Sequence, residues 1–176
     1  MDYNEDYYYR LLRIQAKTGE QIARIRWDFV QECNPRVVLD YGCGVSFFKA
    51  YAAPDVIVDT YDIMPVIQTG VKHRNYDLVC FWDVLEHVNW KRKPDKKIEN
   101  ILTRTKNAAV AVPVLPKNQN PRTWKHTKPG EHLSRFEKIE EVIWFFEKRK
   151  FKCLKIGTPE CPPREDIYNF LFEAKR

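Results

Sequence analysis

Two acids and two glycines suggest a chemistry before any fold is considered. The stretch Val37 to Phe48 reads VVLDYGCGVSFF, a β-branched apolar run that ends on Asp40 and breaks at Gly42 and Gly44. Such a run is a strand feeding a tight turn, the kind of turn that lets a nucleotide-like cofactor approach the backbone. The dinucleotide fingerprint G-x-G-x-x-G would need a third glycine at Phe47, and so fails. Asp40 would also repel a pyrophosphate, which prefers donors and positive potential. A cationic, phosphate-free nucleoside suits the turn better. Asp40 could hold its amino group, the glycines admit its body, and Asp62, at the end of the next apolar run, could accept two ribose hydroxyls.

A second constellation follows the apolar run YDLVCFW (Tyr76 to Trp82): Asp83, Glu86 and His87, with His132 much later in the chain. An imidazole positioned near a protonated nucleophile can take its proton, which makes His87 and His132 the candidate catalytic bases. The acids could instead cap and solvate a helix start, where the dipole favours negative charge. The order of Asp83, Glu86, His87 and the later His132 resembles the metal-holding set of ubiquinone-pathway O-methyltransferases and small-RNA 2′-hydroxyl methyltransferases, a resemblance that implies Mg²⁺ or Mn²⁺ as a possible ligand. His132 lies in a long loop, however, so a divalent metal is not favoured and no metal ligand is assigned.

The elements that must position these residues alternate. Thr18 and Gln21 match a capping box, and Ile22, Ile25, Phe29 and Cys33 recur at helical spacing, predicting a helix over 18–33 that packs on the sheet edge. Asn34-Pro35 ends it. Strands are expected at 36–41, 56–61, 76–82 and 108–112, with helices at 46–53, 83–88 and 94–106. Residues 63–75 are too few for a complete strand–helix unit. A proline-rich loop over 113–130 leads to an aromatic-rich helix at 137–150 and two strands, 151–156 and 167–174. The alternation predicts an α/β, Rossmann-like, doubly wound and mostly parallel sheet.

In DYGCGVS (Asp40 to Ser46), FWDVLEHV (Phe81 to Val88), VPV (Val112 to Val114) and GEHLSRFEK (Gly130 to Lys138), taken in that order, the chain resembles the class I S-adenosylmethionine-dependent methyltransferases of the small-molecule branch that carries an LEH motif. Ser46 stands where the family has its last glycine. The resemblance covers roughly residues 34–174 and implies a last strand, 167–174, inserted antiparallel between 108–112 and 151–156, with the reduced unit at the sheet edge. It implies a cofactor site of Asp40, Tyr41, Gly42, Cys43, Gly44, Asp62, Phe81, Trp82 and Asp83, with His87 and His132 facing the methyl group. The cofactor would be S-adenosyl-L-methionine, S-adenosyl-L-homocysteine its product, and the acceptor an oxygen or nitrogen of a small molecule or modified nucleotide. The loop 113–130, with Trp124, His126 and the nearby His132, is expected to form a lid, and Tyr7 to Tyr9 to close the other side. No D-P-P-Y or N-P-P-Y tetrapeptide occurs, and Cys161 precedes Pro162 rather than following a proline, which disfavours DNA base methylation.

At 176 residues the chain suits one core, read as a helical region 1–33 packed on a methyltransferase domain 34–176. The hydrophobic share of 44% argues for a packed globule. No apolar run reaches membrane-spanning length and the acidic, tyrosine-rich start resembles no signal core, so a cytoplasmic location is expected. The five cysteines form no C-x-x-C pair and read as reduced. A formal charge of +6, with basic runs at 91–97, 117–128 and 148–155, keeps nucleic acid, of the RNA 2′-hydroxyl type, as the alternative acceptor. A non-catalytic cofactor- or partner-binding protein of the same fold is the other alternative. Oligomeric state is left open.

Overall fold

β-Branched and aromatic residues give the central strands two apolar faces, and a sheet built around such strands must be covered on both sides. The computed structural model describes residues 5–45, 47–64, 71–89, 95–127, 132–157 and 164–175. They form a six-stranded sheet from β1 (Val37–Tyr41), β2 (Ile57–Tyr61), β3 (Tyr76–Trp82), β4 (Thr105–Pro113), β5 (Phe151–Ile156) and β6 (Ile167–Ala174). The order is β2-β1-β3-β4-β6-β5, parallel from β2 to β4, with β6 antiparallel to both β4 and β5. This is the expected Rossmann-like sheet with its antiparallel last strand. Among the described residues, β2 and β5 are the two edge strands. Residues 71–75 hold no strand or helix, and 65–70 lie outside the described residues.

The period-2 alternation sorts β3 cleanly. Leu78, Cys80 and Trp82 join Val38, Ala109, Ala111 and Leu171 under α1 (Glu5–Val30) and α2 (Phe47–Tyr51). Val79 and Phe81 join Leu39, Val110, Phe170 and Phe172 under α3 (Lys96–Leu102) and α4 (Ile139–Glu147). Helices on both faces make the sheet doubly wound.

Several boundaries differ from expectation. The first helix runs through Thr18 and begins by Glu5, so Thr18-x-x-Gln21 is an interior match rather than a cap. That helix also lies on the face of the central strands, where Trp27, Phe29 and Val30 are buried, and not on the sheet edge. The segment after β3 forms only a 3₁₀ turn, Leu85–His87: Asp83, at a left-handed φ of 58°, stands outside the helical region before it, and Val88, at φ −103° and ψ 133°, is already extended after it. The helix before β4 stops at Leu102, and β4 begins at Thr105, whose hydroxyl bonds the Ile101 carbonyl (2.8 Å). The break at Asn34-Pro35 stands: Asn34 takes the left-handed conformation and donates to the Gln31 carbonyl.

Candidate active site

The carboxyl ends of β1 and β2 meet at the glycine turn. Gly42 has φ +77° and Gly44 +53°. A Cβ on Gly42 would also lie 2.4 Å from Val84 Cγ2, so both conformation and space require glycine there. The turn's donors are already engaged. Gly42 and Cys43 N–H both donate to the Tyr61 carbonyl (2.7 and 3.0 Å), and Gly44 N–H donates to Asp62 Oδ2 (2.8 Å). A turn with its amides spent on β2 is no phosphate nest, in agreement with the failed dinucleotide fingerprint.

Asp62 takes a second backbone bond from Met64 N–H at Oδ1 (2.9 Å), which orients its carboxylate at the β2 end. Asp59, the other acid on β2, is committed elsewhere, to Arg74, Lys72 and the Tyr76 hydroxyl. Asp40 differs from both. It is 1% exposed, and its Oδ1 is buried with no hydrogen-bond partner. Burial pushes its carboxyl up to about 7, Arg26 opposing and Asp62 adding to the rise. Tyr41 and Phe81 belong to the core on the opposite face, with ring centroids 5.5 Å apart. Phe81 is fully buried and its side chain offers no surface to a ligand. Cys43 is half-buried, its thiol pushed up to about 12 by burial and by Asp40 and Asp62, and hence an inert packing group.

β3 ends in Trp82 and Asp83. The Trp82 ring packs on Phe48 (5.5 Å) beneath the Arg26 guanidinium (5.1 Å), and its Nε1–H is buried without a partner. Asp83 N–H continues the β3–β4 ladder to the Ala111 carbonyl, while its carboxylate takes Arg26 at Oδ2 (2.7 Å) and Arg164 at both oxygens (2.6 and 2.8 Å). The two guanidiniums outweigh burial and hold Asp83 well below the usual carboxylate range. Glu86, buried beside that anion, is pushed far upward, first by desolvation and then by Asp83.

The loop after β4 returns to the same place. Val114 bridges Phe136 at its base, and Leu133 and Ser134 N–H both donate to the Glu86 carbonyl (2.8 and 2.9 Å). The Ser134 hydroxyl donates to the Val88 carbonyl (2.6 Å). These bonds bring the His132 ring to 4.7 Å from that of His87, edge to face. His132 Nδ1 lies 2.9 Å from the His126 carbonyl, and a carbonyl only accepts, so in neutral His132 the proton sits on Nδ1 and the lone pair on Nε2. Trp124 is buried in the loop, whereas Tyr9 on α1 is exposed. Ser46, Cys161 and the side chains of Tyr7 and Tyr8 lie outside the described residues.

Among the described residues, Glu86, His87 and His132 offer ligand-type atoms within 4.8 Å of one another. The pattern's fourth member, Asp83, is turned to its arginines instead. A cation there would be held by Glu86, His87 and His132.

Sequence reasoning did not single out Arg26, Arg164 or Asp166. Arg26 carried a signal: it falls on the buried stripe of α1 with Ile22, Ala23, Trp27 and Val30, where an arginine requires a partner. Arg164 and Asp166, in the approach to β6, carried none.

No family model matches the sequence, and no curated protein is similar to it in sequence. Solved structures are similar in fold. Magnesium protoporphyrin IX methyltransferase from Synechocystis PCC 6803, with bound SAH, superposes with a TM-score of 0.73 at 15% identity, over 98% of this chain and 96% of that one. The mitomycin 7-O-methyltransferase MmcR gives 0.68 at 15% identity over 96% of this chain, which spans 56% of that enzyme. The 16S rRNA methylase RmtB gives 0.56 at 16% identity, over 96% of this chain and 69% of that one. The chain therefore has the Rossmann-like fold of the class I S-adenosylmethionine-dependent methyltransferases.

Proposed function

We propose that the chain is an S-adenosylmethionine-dependent methyltransferase acting on an oxygen or nitrogen of a small molecule or modified nucleotide, with residues 1–33 as a helical region packed on the catalytic domain 34–176. The observation that carries this reading is the orphaned, buried Asp40 oxygen beside a glycine turn whose Gly42, Cys43 and Gly44 amides are engaged. Such a site has a carboxyl to offer a cation, and those three donors are not offered to a phosphate.

The residues present fit the cofactor. Asp40 would receive its α-ammonium and Asp62 its ribose hydroxyls, with Tyr41 to Gly44 as backbone floor. Arg26, placed between Asp40 and Asp83, is suited by charge to its carboxylate. Trp82 would present its partnerless Nε1–H and its ring edge. When bound, S-adenosylmethionine supplies an electrophilic methyl group on a sulfonium, whose neutral thioether leaving group needs no acid. The protein's remaining tasks are to exclude water, orient the acceptor and take its proton.

His132 Nε2 would take that proton, with His87 as its neighbour. The loop carrying Trp124 and His126 closes over this end of the sheet as a lid. Part of the positive charge of the basic runs is met within the chain, since Lys152 and Lys155 near the β5 edge pair with Glu173 and Glu32, and Lys125 on the lid pairs with Asp166. A small acceptor is accordingly preferred. No helix among the described residues is long and apolar enough to cross a membrane. The four described cysteines are free thiols, which supports placing the protein in the cytoplasm.

Calorimetric titration with S-adenosylmethionine, S-adenosylhomocysteine and NAD tests the reading. Binding of the first two with saturable stoichiometry is expected, and tighter binding of NAD would overturn it. The acceptor is then sought by tritium transfer from methyl-labelled cofactor.

A further inference from the structure

One carboxylate, outside both constellations singled out by the sequence, gathers three consecutive residues of the lid. Asp166, 7% exposed, stands just before β6, and its backbone carbonyl accepts from Val114 N–H at the exit of β4 (2.9 Å). Its Oδ2 accepts the Trp124 indole N–H (3.0 Å) and lies 3.2 Å from His126 Nε2, while its Oδ1 pairs with the Lys125 ammonium at 2.9 Å. The pairing with Lys125 and Trp124 outweighs burial and keeps the Asp166 carboxyl below its ordinary value.

The 3₁₀ turn Lys125–Thr127 is thus tied to the rigid sheet through a single side chain. From that turn the contacts pass to His132. The His126 ring stacks on the His132 ring, with centroids 5.3 Å apart and planes 9° from parallel, and the His126 carbonyl accepts from His132 Nδ1. A charged acceptor in a buried site makes stronger bonds than a neutral one, so the His126 position is fixed more tightly than a surface loop would hold it.

We infer that Asp166 is a positioning residue for His132: by holding Trp124 and Lys125 at the head of β6, it places the carbonyl of the adjoining His126, which fixes His132 in the Nδ1–H tautomer. The inference rests on the reading of His132 as the base, and its test is chosen to separate the two. It needs neither acceptor nor turnover.

Histidine-labelled protein (¹⁵N) is observed by long-range ¹H–¹⁵N spectra at about pH 8.5, above the ordinary imidazole range. His132 is assigned from the signal missing in His132→Gln. The wild-type ring is expected in the Nδ1–H form. In Asp166→Ala the Nε2–H form, which free histidine prefers, becomes the major one, while the His73 pattern is unmoved. Affinity for S-adenosylhomocysteine stays within about twofold, because the clamp and the glycine turn share no partner. Trp124→Phe keeps the ring and removes one of the donors, so it shifts the tautomer in the same direction by less, and it decides the matter if Asp166→Ala does not fold. A His132 that remains Nδ1–H in the folded variants overturns the inference, even where their melting temperature falls, since a merely structural clamp would lower stability and leave the tautomer alone. Retained methyl transfer in His132→Gln, once an acceptor is found, overturns the base reading instead and leaves the tautomer result standing.

Discussion

Asp40 gives the sharpest quantitative test of the cofactor reading, because its charge state should change when a cation arrives. In the free protein its carboxyl sits at about 7, against an ordinary value of 3.8, and desolvation is the main cause. The sign follows from linkage. The folded state holds a proton that the unfolded state releases between those values, so this group's contribution to stability falls as pH rises from about 4 to 7. An ammonium within reach of the carboxylate reverses the preference and lowers the bound-state pKa by about 1–3 units. With a fall of about 2 units, affinity should rise roughly 100-fold, about 2.7 kcal/mol, between about pH 5 and 7, with a proton released on binding. The rise ends above about pH 7, where the carboxyl of the free protein is itself ionised and binding releases no further proton.

The assay is calorimetric titration with S-adenosylhomocysteine, which is unreactive but carries the same amino acid end. It is run across that window in two buffers of different ionisation enthalpy, so that proton release is counted directly. Asp40→Asn should bind with a flat pH profile, release no proton, and match the wild type's weak low-pH affinity even at neutral pH. The free variant should also lose the wild type's decline in stability between pH 5 and 7. A wild-type affinity independent of pH, or a slope retained in Asp40→Asn, would refute the placement of the cofactor's amino group on this carboxyl.

Other consequences follow from the same geometry. Gly42→Ala should lose about 1–2 kcal/mol to its positive φ alone and more to the Val84 methyl 2.4 Å away; Val84→Ala in the same chain should recover the steric share in urea unfolding. Phe81→Ala should destabilise the fold by about 3–5 kcal/mol, as for any fully buried aromatic, and fail to act as a selective cofactor-site lesion in the same experiment. Asp62→Ala should weaken cofactor binding by about 1–3 kcal/mol, read by calorimetry, since ribose hydroxyls and the Gly44 and Met64 amides all lose a charged acceptor. Asp83, held down by Arg26 and Arg164, contributes stability that is present above its unfolded value near 4 and lost as pH falls through its depressed folded value. Asp83→Asn should therefore lower stability at neutral pH and flatten the acid limb of thermal melts below about pH 4.

The sheet was legible because its signal is local and repeated: β3, β5 and β6 fall at 76–82, 151–156 and 167–174, as the period-2 runs indicate. Helix limits were less so. A capping-box match at Thr18 cannot be told from an interior Thr within a longer helix, since the deciding contacts come from α2 and the sheet face. The 3₁₀ turn after β3 was hidden for a related reason, the left-handed backbone of Asp83 being imposed by its ladder bond to Ala111 and two distant arginines. The glycine turn and its acids could be read from order alone. The meeting of His87 with His132 could not, because it depends on Leu133 and Ser134 amides finding the Glu86 carbonyl across a long separation in the chain.

Four acids around one crevice show why residue type underdetermines a site. Asp40 is buried and without a partner at Oδ1, and so is poised near neutrality. Asp62 is oriented by two backbone amides, Asp83 is neutralised by two guanidiniums, and Glu86 has its carboxyl pushed upward by burial and by Asp83. The same functional group thus takes four states, set by what the fold places next to it. The effect is a division across the crevice. Over β1 and β2 the acids have capacity left for a cation, as an ammonium and a ribose require. Over β3, β4 and the head of β6 the negative charge is spent on Arg26, Arg164, Lys125 and Trp124, which leaves histidines as the only described groups suited to accept a proton at neutral pH. A methyl acceptor needs that asymmetry, because a free carboxylate on its side would compete both for the methyl group and for the proton being removed.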